Sequence, residues 1–467
     1  MSVSPARETA FRILRRVESG RGFAVDLLAR PQVSGLREAD RRLATELVMG
    51  ALRWRGELDF EIQRLSRKPF KYFDPEIVTI LRLGVYQIRF LERIPKSAVV
   101  NEAVELTKSV GKRSAAGLVN AVLRKCEPPV RRRAVREGEE PEADLLPSLR
   151  RCFPPWLLER WERNFGTKAA NALAWASNTV PRTTLRICGG DREEIEAQLA
   201  AEGIRAEPGR YSSQALTVRS GNVQSSRLLG AGRVVIQDEA SQLVAALLAP
   251  KRGERVLDLC AAPGIKTRQL ADALGHGILV ACDRSAPRLR TMARLGPGRV
   301  PAGVSLDVVR LDAQSSLPFG RAFDRVLLDA PCSGTGTLAR NPEIKWRTQP
   351  SDLLRLAAAQ GKMLTNALAV LAPGGRLVYA TCSLEPEENE QVVESALQAA
   401  SGFCLLTAAE LSSEFPALAP LFDSRGCFRT RPDLHSMDGF FAAVILRTPI
   451  RNEEQQPLLS RKRIRNS

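Results

Sequence analysis

The chain has 467 residues, 44% of them hydrophobic and 26% charged, a composition typical of soluble globular proteins with two or three domains. Lysine and arginine number 69 against 52 acidic residues, and the net charge of +17 favours a polyanionic partner such as nucleic acid, although a merely basic, soluble surface also fits. The chain has only two histidines and nine scattered cysteines without a C-x-x-C pair, which excludes a histidine-rich metal site and argues against a zinc cage or a disulfide framework.

The N-terminal segment carries charges throughout and has no apolar stretch of the kind that a signal peptide needs. The chain also lacks a run of about 18 apolar residues, the length that a membrane-spanning helix requires. We therefore expect a cytoplasmic protein without membrane contact, in a reducing compartment that suits its scattered cysteines.

Residues 1–126 are predicted to form an all-α domain. Apolar residues recur at helical spacing, without strand-like alternation between them, at 11–17, 43–52, 77–88, 99–106 and 117–123. The polar faces of these helices are rich in arginine, as at Arg12, Arg41 and Arg53. Such a face is usually just solvated, so RNA binding by this domain is a hypothesis that depends on the rest of the chain.

A linker and a small α+β module are predicted next. The linker is assigned to 127–149, because Pro128 and Pro129 end the last helix and runs of arginine and glutamate with few apolar residues follow. The module, at 150–232, is predicted to contain a helix after Pro155, a strand at 181–187, a helix at 194–199 and a strand at 215–218.

Residues 233–450 are predicted to form an α/β domain, followed by a basic tail at 451–467. An apolar strand at 256–259 breaks at Pro263 and Gly264 and gives way to a helix from Lys266, the unit that opens a nucleotide-binding sheet. The loop lacks the G-x-G-x-x-G spacing, so NAD is not predicted. Further strands follow, and polar residues stand at five strand ends: Asp258, Asp283, Asp312, Asp329 and Cys382. One strand-end aspartate is as often a cap as a ligand, but five polar ends are expected to converge on one edge of the sheet.

Two cysteines have surroundings that favour reactivity. Cys332 follows Pro331 after one predicted strand, and Cys382 follows Thr381 at the end of another. Small or polar residues flank both, whereas a structural cysteine is normally buried and inert. A thiolate is a strong nucleophile once its pKa is lowered, and the chain has almost no histidine. Covalent attack is therefore the use predicted for one of the two thiols.

Four motifs in this domain resemble those of the Nop2/Sun family of RNA cytosine-5 methyltransferases. They are C-A-A-P-G-I-K-T at 260–267, D-A-P-C-S-G-T-G at 329–336, N-P-E-I-K-W at 341–346 and Y-A-T-C-S at 379–383. The front domain is similar to the NusB-type RNA-binding domain through R-R-L-A-T-E-L at 41–47, L-R-L-G-V-Y-Q at 81–87 and V-N-E-A-V at 100–104. The resemblance implies a Rossmann-like methyltransferase domain that uses S-adenosylmethionine, preceded by an all-α NusB-like domain and a small α+β RNA-binding module.

The resemblance also implies a role for particular residues. Cys382 is expected to add to carbon 6 of the cytosine, and Cys332 to assist release of the methylated RNA. Asp283 is expected to hold the ribose hydroxyls of the cofactor, Asp312 its adenine amino group, and Asp329 to lie near its methionine end and the target base. The cofactor-binding loop is expected to consist of Cys260, Ala261, Ala262, Pro263, Gly264, Ile265 and Lys266.

The loop departs from the family pattern at one position, because Ile265 stands where a second glycine is usual. A β-branched residue would be strained there if the position needs a positive φ, which puts cofactor affinity in doubt.

The expected substrate is small-subunit (16S) ribosomal RNA, with no DNA and no metal ion involved. Alternatives are the same chemistry on another RNA such as tRNA, or a catalytically weak RNA-binding or assembly protein. A methyltransferase that acts on amino groups is disfavoured. Such enzymes typically have Pro-Pro and an aromatic residue after the motif aspartate, whereas Pro331 and Cys332 follow Asp329 here. The oligomeric state is left open, with a monomer as the working assumption.

Overall fold

The computed structural model describes residues 3–128, 145–295 and 300–449, with only the backbone described at 293–295. The predicted linker sequence at 129–144 and the basic tail lie outside the described residues. The front of the chain folds into helices α1 (Pro5–Glu18), α2 (Ala24–Leu28), α3 (Pro31–Ser34), α4 (Glu38–Arg53), α5 (Arg55–Ser66), α6 (Pro75–Phe90), α7 (Lys96–Ser109) and α8 (Ala116–Lys125). The apolar sequence of α6 is buried on nearly all sides, and the other helices pack around it. The predicted all-α domain is confirmed.

Three helices connect this domain to the rest of the molecule: α9 (Leu146–Arg151), α10 (Pro155–Phe165) and α11 (Thr167–Asn178). They share a core around the fully buried Trp161, which also takes in Leu338 and Leu384 from the third domain. The prediction of a linker as far as residue 149 is therefore wrong at its end. Leu149 is fully buried, and this burial stabilises α9 against the rest of the core.

A four-stranded antiparallel sheet follows, in the order β2-β3-β1-β4. Its elements are β1 (Thr184–Ile187), α12 (Arg192–Ala201), β2 (Arg205–Pro208), β3 (Ala215–Ser220), α13 (Arg227–Ala231) and β4 (Val234–Ile236). The predicted module boundary at 232 is too early, because β4 pairs with β1 and contributes Val234 to the core of this sheet.

The third domain is built on an eight-stranded sheet. Its elements are α14 (Glu239–Ala246), β5 (Arg255–Leu259), α15 (Ile265–Leu274), β6 (His276–Asp283), α16 (Ala286–Leu295), β7 (Gly303–Arg310), β8 (Phe323–Asp329), α17 (Ile344–Arg347), α18 (Pro350–Val370), β9 (Leu371–Thr381), α19 (Glu390–Ala399), β10 (Phe403–Leu405), α20 (Ala408–Glu414), β11 (Phe428–Arg429), α21 (Pro432–His435) and β12 (Phe441–Arg447). The order is β10-β12-β9-β8-β5-β6-β7, with β11 paired to β12. Strands β5 to β9 are parallel, whereas β10, β11 and β12 pair antiparallel.

The order of these strands positions the candidate site. The chain runs outward from β5 through β6 to β7, then returns to place β8 on the other side of β5. In doubly wound sheets a crevice opens where the strand order reverses in this way, outside the carboxyl ends of the strands. Here that point lies between β5 and β8. Among the described residues, no helix is long and apolar enough to cross a bilayer.

Candidate functional site

Two adjoining cavities lie at the carboxyl ends of the parallel strands. One, here called the thiol cavity, has a volume of about 770 Å³ and is lined by both Cys332 and Cys382. The other, the acid cavity, has a volume of about 820 Å³ and is lined by Asp283 and Asp312. Cys260, Arg288 and Pro331 line both. The structure therefore brings the predicted site residues to one edge of the sheet, around two cavities that share three lining residues.

The loop after β5 lines the thiol cavity, and its first residue, Cys260, also lines the acid cavity. Cys260 has a φ of 62° and Gly264 a φ of 98°, so the backbone takes the left-handed conformation twice within one short loop. A Cβ atom at Gly264 would lie 2.7 Å from Met292, which further restricts this position to glycine. Ile265 is the first residue of α15 and does not have a positive φ. The strain that the sequence suggested at Ile265 is therefore absent, because Gly264 takes the left-handed conformation.

Asp283, at the end of β6, is buried and holds the loop from the side of the acid cavity. Its Oδ2 accepts a hydrogen bond from the N–H of Ala262 at 3.3 Å, and its Oδ1 accepts one from the N–H of Ser285 at 2.8 Å. Asp312 follows β7 and is exposed on the same cavity, where it accepts a bond from the N–H of Gln314 at 3.0 Å. The Asp283 carboxylate is thus fixed by backbone hydrogen bonds, whereas the Asp312 carboxylate is accessible from the cavity.

Two further aspartates differ in their electrostatics. Asp258 lies inside β5, where it accepts a hydrogen bond from the Thr267 hydroxyl at 2.6 Å, and burial raises the pKa of its carboxyl to about 7. Asp329, at the end of β8, forms an ion pair with the ammonium of Lys266 at 2.8 Å. Burial is the largest single effect on the pKa of Lys266 and lowers it, but the charge and hydrogen bond of Asp329, together with other acidic neighbours, outweigh burial and raise that pKa. Lys266 and Asp329 therefore form a charged pair beside the thiols.

The two cysteines are in direct contact. Their Sγ atoms are 3.3 Å apart, one after β8 and the other after β9. The hydrogen bond with Cys382, together with burial, raises the pKa of the Cys332 thiol well above its ordinary value. The Cys332 thiol therefore holds its proton more tightly than an ordinary cysteine does.

A carboxylate that the sequence did not point to connects the loops that carry these cysteines. Glu388 is fully buried and accepts hydrogen bonds from the backbone N–H of Ser333 at 2.8 Å, from the Ser383 hydroxyl at 2.5 Å and from the Gln360 amide at 3.1 Å. Ser333 follows Cys332 and Ser383 follows Cys382, so one side chain fixes both loops. Glu388 lies in the polar sequence Pro-Glu-Glu-Asn at 386–389. Such a sequence is typical of an exposed turn, so nothing in it indicated a buried carboxylate.

A second buried network was also missed. The Arg340 guanidinium lies between Asp238 and Asp438, at 2.8 and 3.0 Å, and all three residues line the thiol cavity. Burial, reinforced by the charge of Asp238, raises the pKa of Asp438 to about 7. The three side chains come from distant parts of the chain, and only the folded structure brings them together.

The N-P-E-I-K-W motif lies at the junction of three units. The buried Lys345 ammonium donates to the backbone carbonyl of Arg53 in the front domain and to the side-chain carbonyl of Asn178 in α11, both at 2.9 Å. Burial lowers the pKa of this lysine to about 7. Glu343 accepts a hydrogen bond from the N–H of Ala24 at 2.6 Å. Because Asn341 and Ile344 line the thiol cavity, this junction also forms part of its wall.

No group of three or more histidine, cysteine, aspartate or glutamate side chains suited to a metal ion occurs in the described part of the chain. The acid cavity instead offers carboxylates at the ends of β6 and β7. Its volume is within the range of about 300–1,000 Å³ that is usual for small-molecule sites.

Three family models match the chain. Residues 245–446 match the 16S rRNA methyltransferase RsmB/F model, residues 4–128 the NusB family, and residues 153–224 a ferredoxin-like domain of RsmF/B-like methyltransferases. The predicted succession of a NusB-like domain, an α+β module and a Rossmann-like methyltransferase domain is thereby confirmed.

Individual relatives cover nearly the whole chain. The probable ribosomal RNA small subunit methyltransferase B of Bacillus subtilis (strain 168) is 31% identical over 94% of this chain and 98% of its own length. The ribosomal RNA small subunit methyltransferase B of Pseudomonas putida is 37% identical over 85% of this chain and 89% of its own. The solved structure of PH0851 has a TM-score of 0.75 and 24% identity, covers 95% of this chain and 99% of its own, and shares the fold.

Proposed function

The chain belongs to the 16S rRNA methyltransferase RsmB/F family, and from that premise we propose that it methylates carbon 5 of a cytosine in small-subunit ribosomal RNA through a covalent cysteine–RNA adduct. The observation that carries the proposal is the 3.3 Å contact between the Sγ atoms of Cys332 and Cys382, beside a cavity lined by strand-end carboxylates. S-adenosylmethionine, when bound, supplies an electrophilic methyl group.

The acid cavity supports a site for this cofactor. In the proposal, Asp283 and Asp312 hold the ribose hydroxyls and the adenine amino group, and the backbone of the loop from Cys260 to Lys266 lines the cofactor. Asp329 lies near the methionine end and the target base. The strained-loop argument for a catalytically weak protein depended on Ile265, and the helical conformation of that residue leaves it without support.

The two thiols divide the proposed reaction between them. The Cys382 thiolate adds to carbon 6 of the cytosine, a new S–C bond forms, and carbon 5 becomes nucleophilic enough to take the methyl group, whose bond to the sulfonium sulfur breaks to leave a neutral thioether. Transfer of the proton from carbon 5 to water then allows the S–C bond to carbon 6 to break and returns Cys382 as a thiolate. Cys332, which holds its proton more tightly than an ordinary cysteine does, assists release of the methylated base. The base must leave its stack to reach this site.

The remaining units are proposed to hold the RNA. The front domain and the small module bring basic surface to the substrate, and phosphate contacts of this kind supply affinity that falls as salt rises. The overall charge of +17 supports this assignment.

Bisulfite sequencing of ribosomal RNA tests the proposal. We expect one cytosine of the small-subunit RNA to lose protection in a strain that lacks this chain. Protection should return with the intact chain but not with the Cys382→Ala variant. Full protection in the deletion strain, or restoration by Cys382→Ala, would overturn the proposal. Loss of protection in tRNA instead would select the alternative substrate.

A further inference from the structure

Part of the thiol cavity wall comes from the front domain. Phe23, Val25 and Asp26, at the corner where α1 gives way to α2, line the same cavity as the two thiols. Phe23 and Val25 are 43% and 47% exposed, although both side chains are apolar. Most exposed apolar side chains need no explanation, but two neighbouring ones that face a cavity with reactive groups indicate a contact surface.

The corner is held rigidly against the methyltransferase domain. The N–H of Ala24 donates to Glu343 at 2.6 Å, and the guanidinium of Arg347 donates to the carbonyls of Val17 and Gly22, both at 2.6 Å. The guanidinium of Arg347 also lies 5.0 Å from the centre of the Phe23 ring. The Phe23 ring therefore lies beside the Arg347 cation and still has an accessible surface. The contacts of Ala24, Val17 and Gly22 fix the position of this corner against the methyltransferase domain before any ligand enters.

We propose that Phe23 is a stacking platform for the nucleotide next to the target cytosine, so that the helical front domain contributes directly to the substrate pocket. The inference depends on the proposed function, in which a cytosine leaves its stack to reach Cys382. Extrusion of that base leaves its neighbour without a stacking partner, and an exposed aromatic ring at the pocket wall replaces it. An RNA strand is the occupant that the geometry favours, because the surface is continuous with the cavity that receives the target base.

Phe23→Ala is the direct test, in the full-length chain. Phe23→Ala removes a base–aromatic stacking contact, so we expect kcat/KM for RNA to fall by about 5- to 150-fold. Binding of S-adenosylmethionine should not change, because the residues proposed to contact it all lie between Cys260 and Asp329, outside the front domain. Phe23→Trp should retain activity, whereas Phe23→Leu, which keeps an apolar side chain at the corner, should lose as much activity as the alanine variant.

Tyr72→Ala is a matched control. Tyr72 is also an exposed aromatic residue of the front domain with a cation over its ring, Lys71 at 5.1 Å, but it does not line the thiol cavity. This variant should have unchanged kcat/KM. Wild-type kcat/KM in Phe23→Leu, or an equal loss in Tyr72→Ala, would overturn the inference.

A fluorescent base separates stacking from a structural role. The probe is an RNA oligonucleotide that spans the methylated cytosine, with 2-aminopurine at one neighbouring position at a time. Binding to the intact chain should quench the probe at one position, and Phe23→Leu should remove that quenching. Equal quenching in both proteins at every position would overturn the stacking role. The measurement does not need methyl transfer, so failure of the proposed chemistry in the intact chain would be seen separately.

Discussion

The acid cavity and the thiol cavity differ in how they are assembled. The acid cavity is lined by one domain only, with residues from Cys260 to Pro331 and one from α18, Met363. The thiol cavity takes residues from the corner of the front domain, from the end of β4 in the smaller sheet and from the methyltransferase domain. A small molecule can therefore be bound by one folding unit, whereas the surface proposed to meet RNA exists only when residues from several units are in contact.

Among the changes at the thiol cavity, loss of Cys382 should have the largest effect on methyl transfer. Cys382→Ala should lower methyl transfer by at least about 10³-fold, because loss of a covalent nucleophile leaves only binding and positioning. Calorimetry should find binding of S-adenosylmethionine nearly unchanged. Cys404→Ala, which alters an exposed cysteine outside both cavities, serves as the control. Substantial turnover by Cys382→Ala would show that Cys382 is not the nucleophile.

Cys332→Ala should separate the two thiols. If Cys332 assists release, its loss should arrest the reaction after attack and trap a covalent protein–RNA complex through Cys382. A denaturing gel with labelled RNA should show a slow band for Cys332→Ala and none for the double variant with Cys382→Ala. Absence of the slow band would indicate that Cys332 is structural.

The acid cavity should respond to Asp283→Asn with a loss of cofactor affinity alone. Hydrogen bonds to a charged group contribute about 1.5–3 kcal/mol, so we expect roughly 10- to 100-fold weaker binding of S-adenosylmethionine by calorimetry. RNA affinity in a filter-binding assay should be unchanged. Asp307→Asn, at an exposed carboxylate on β7 outside both cavities, is the matched control. Equal losses of cofactor and RNA binding would contradict the separation of the two cavities.

Lys345→Met should have the smallest effect on the reaction, and it should change KM for RNA but not the affinity for cofactor. The variant removes two hydrogen bonds at the junction, so we expect a several-fold higher KM for RNA with unchanged cofactor affinity. Burial lowers the lysine pKa from 10.5 to about 7, so the unfolded chain binds more protons between these values and stability rises with pH in that window. Denaturant unfolding from pH 7 to pH 10 should show a smaller rise in Lys345→Met than in the intact chain. An identical rise in both would contradict this role for Lys345.

The elements of the acid cavity were predictable because each depends on a short stretch of sequence. Asp283, Asp312 and the loop residue Cys260, which line this cavity, occur where the strand–loop–helix pattern placed them, and so does Asp329, which lines the thiol cavity. The alternation of apolar strands and amphipathic helices likewise predicted an α/β domain, and the motif resemblance identified that domain as Rossmann-like. Local sequence also misled in one respect, since it could not show that Gly264, and not Ile265, carries the positive φ.

The features that the sequence did not predict depend on contacts between residues far apart in the chain. The sequence separations in and around the thiol cavity exceed the length of any motif. Arg340 contacts Asp238 across 102 positions in the cavity wall, and Lys345 contacts Arg53 across 292 positions at the junction behind that wall. Glu388 binds Ser333 across 55 positions from within a run that resembles a surface turn. The end of the linker and the edge of the smaller sheet were misplaced for a similar reason. Burial of Leu149 and pairing of β4 with β1 are tertiary events that propensity does not report.

The hydrogen bond between Ala24 and Glu343, which spans 319 positions, has a consequence for synthesis of the protein. A chain grows from its N-terminus at about 5–20 residues per second, and its first domain folds before the last is made. The front domain is therefore expected to exist for many seconds before Cys332 and Cys382 are translated, and before Glu343 and Arg347 can hold the corner that carries Phe23. A product truncated before residue 343 holds one wall of the pocket but lacks Cys382 altogether. Completion of translation is thus the step that converts a helical domain into a closed reaction site.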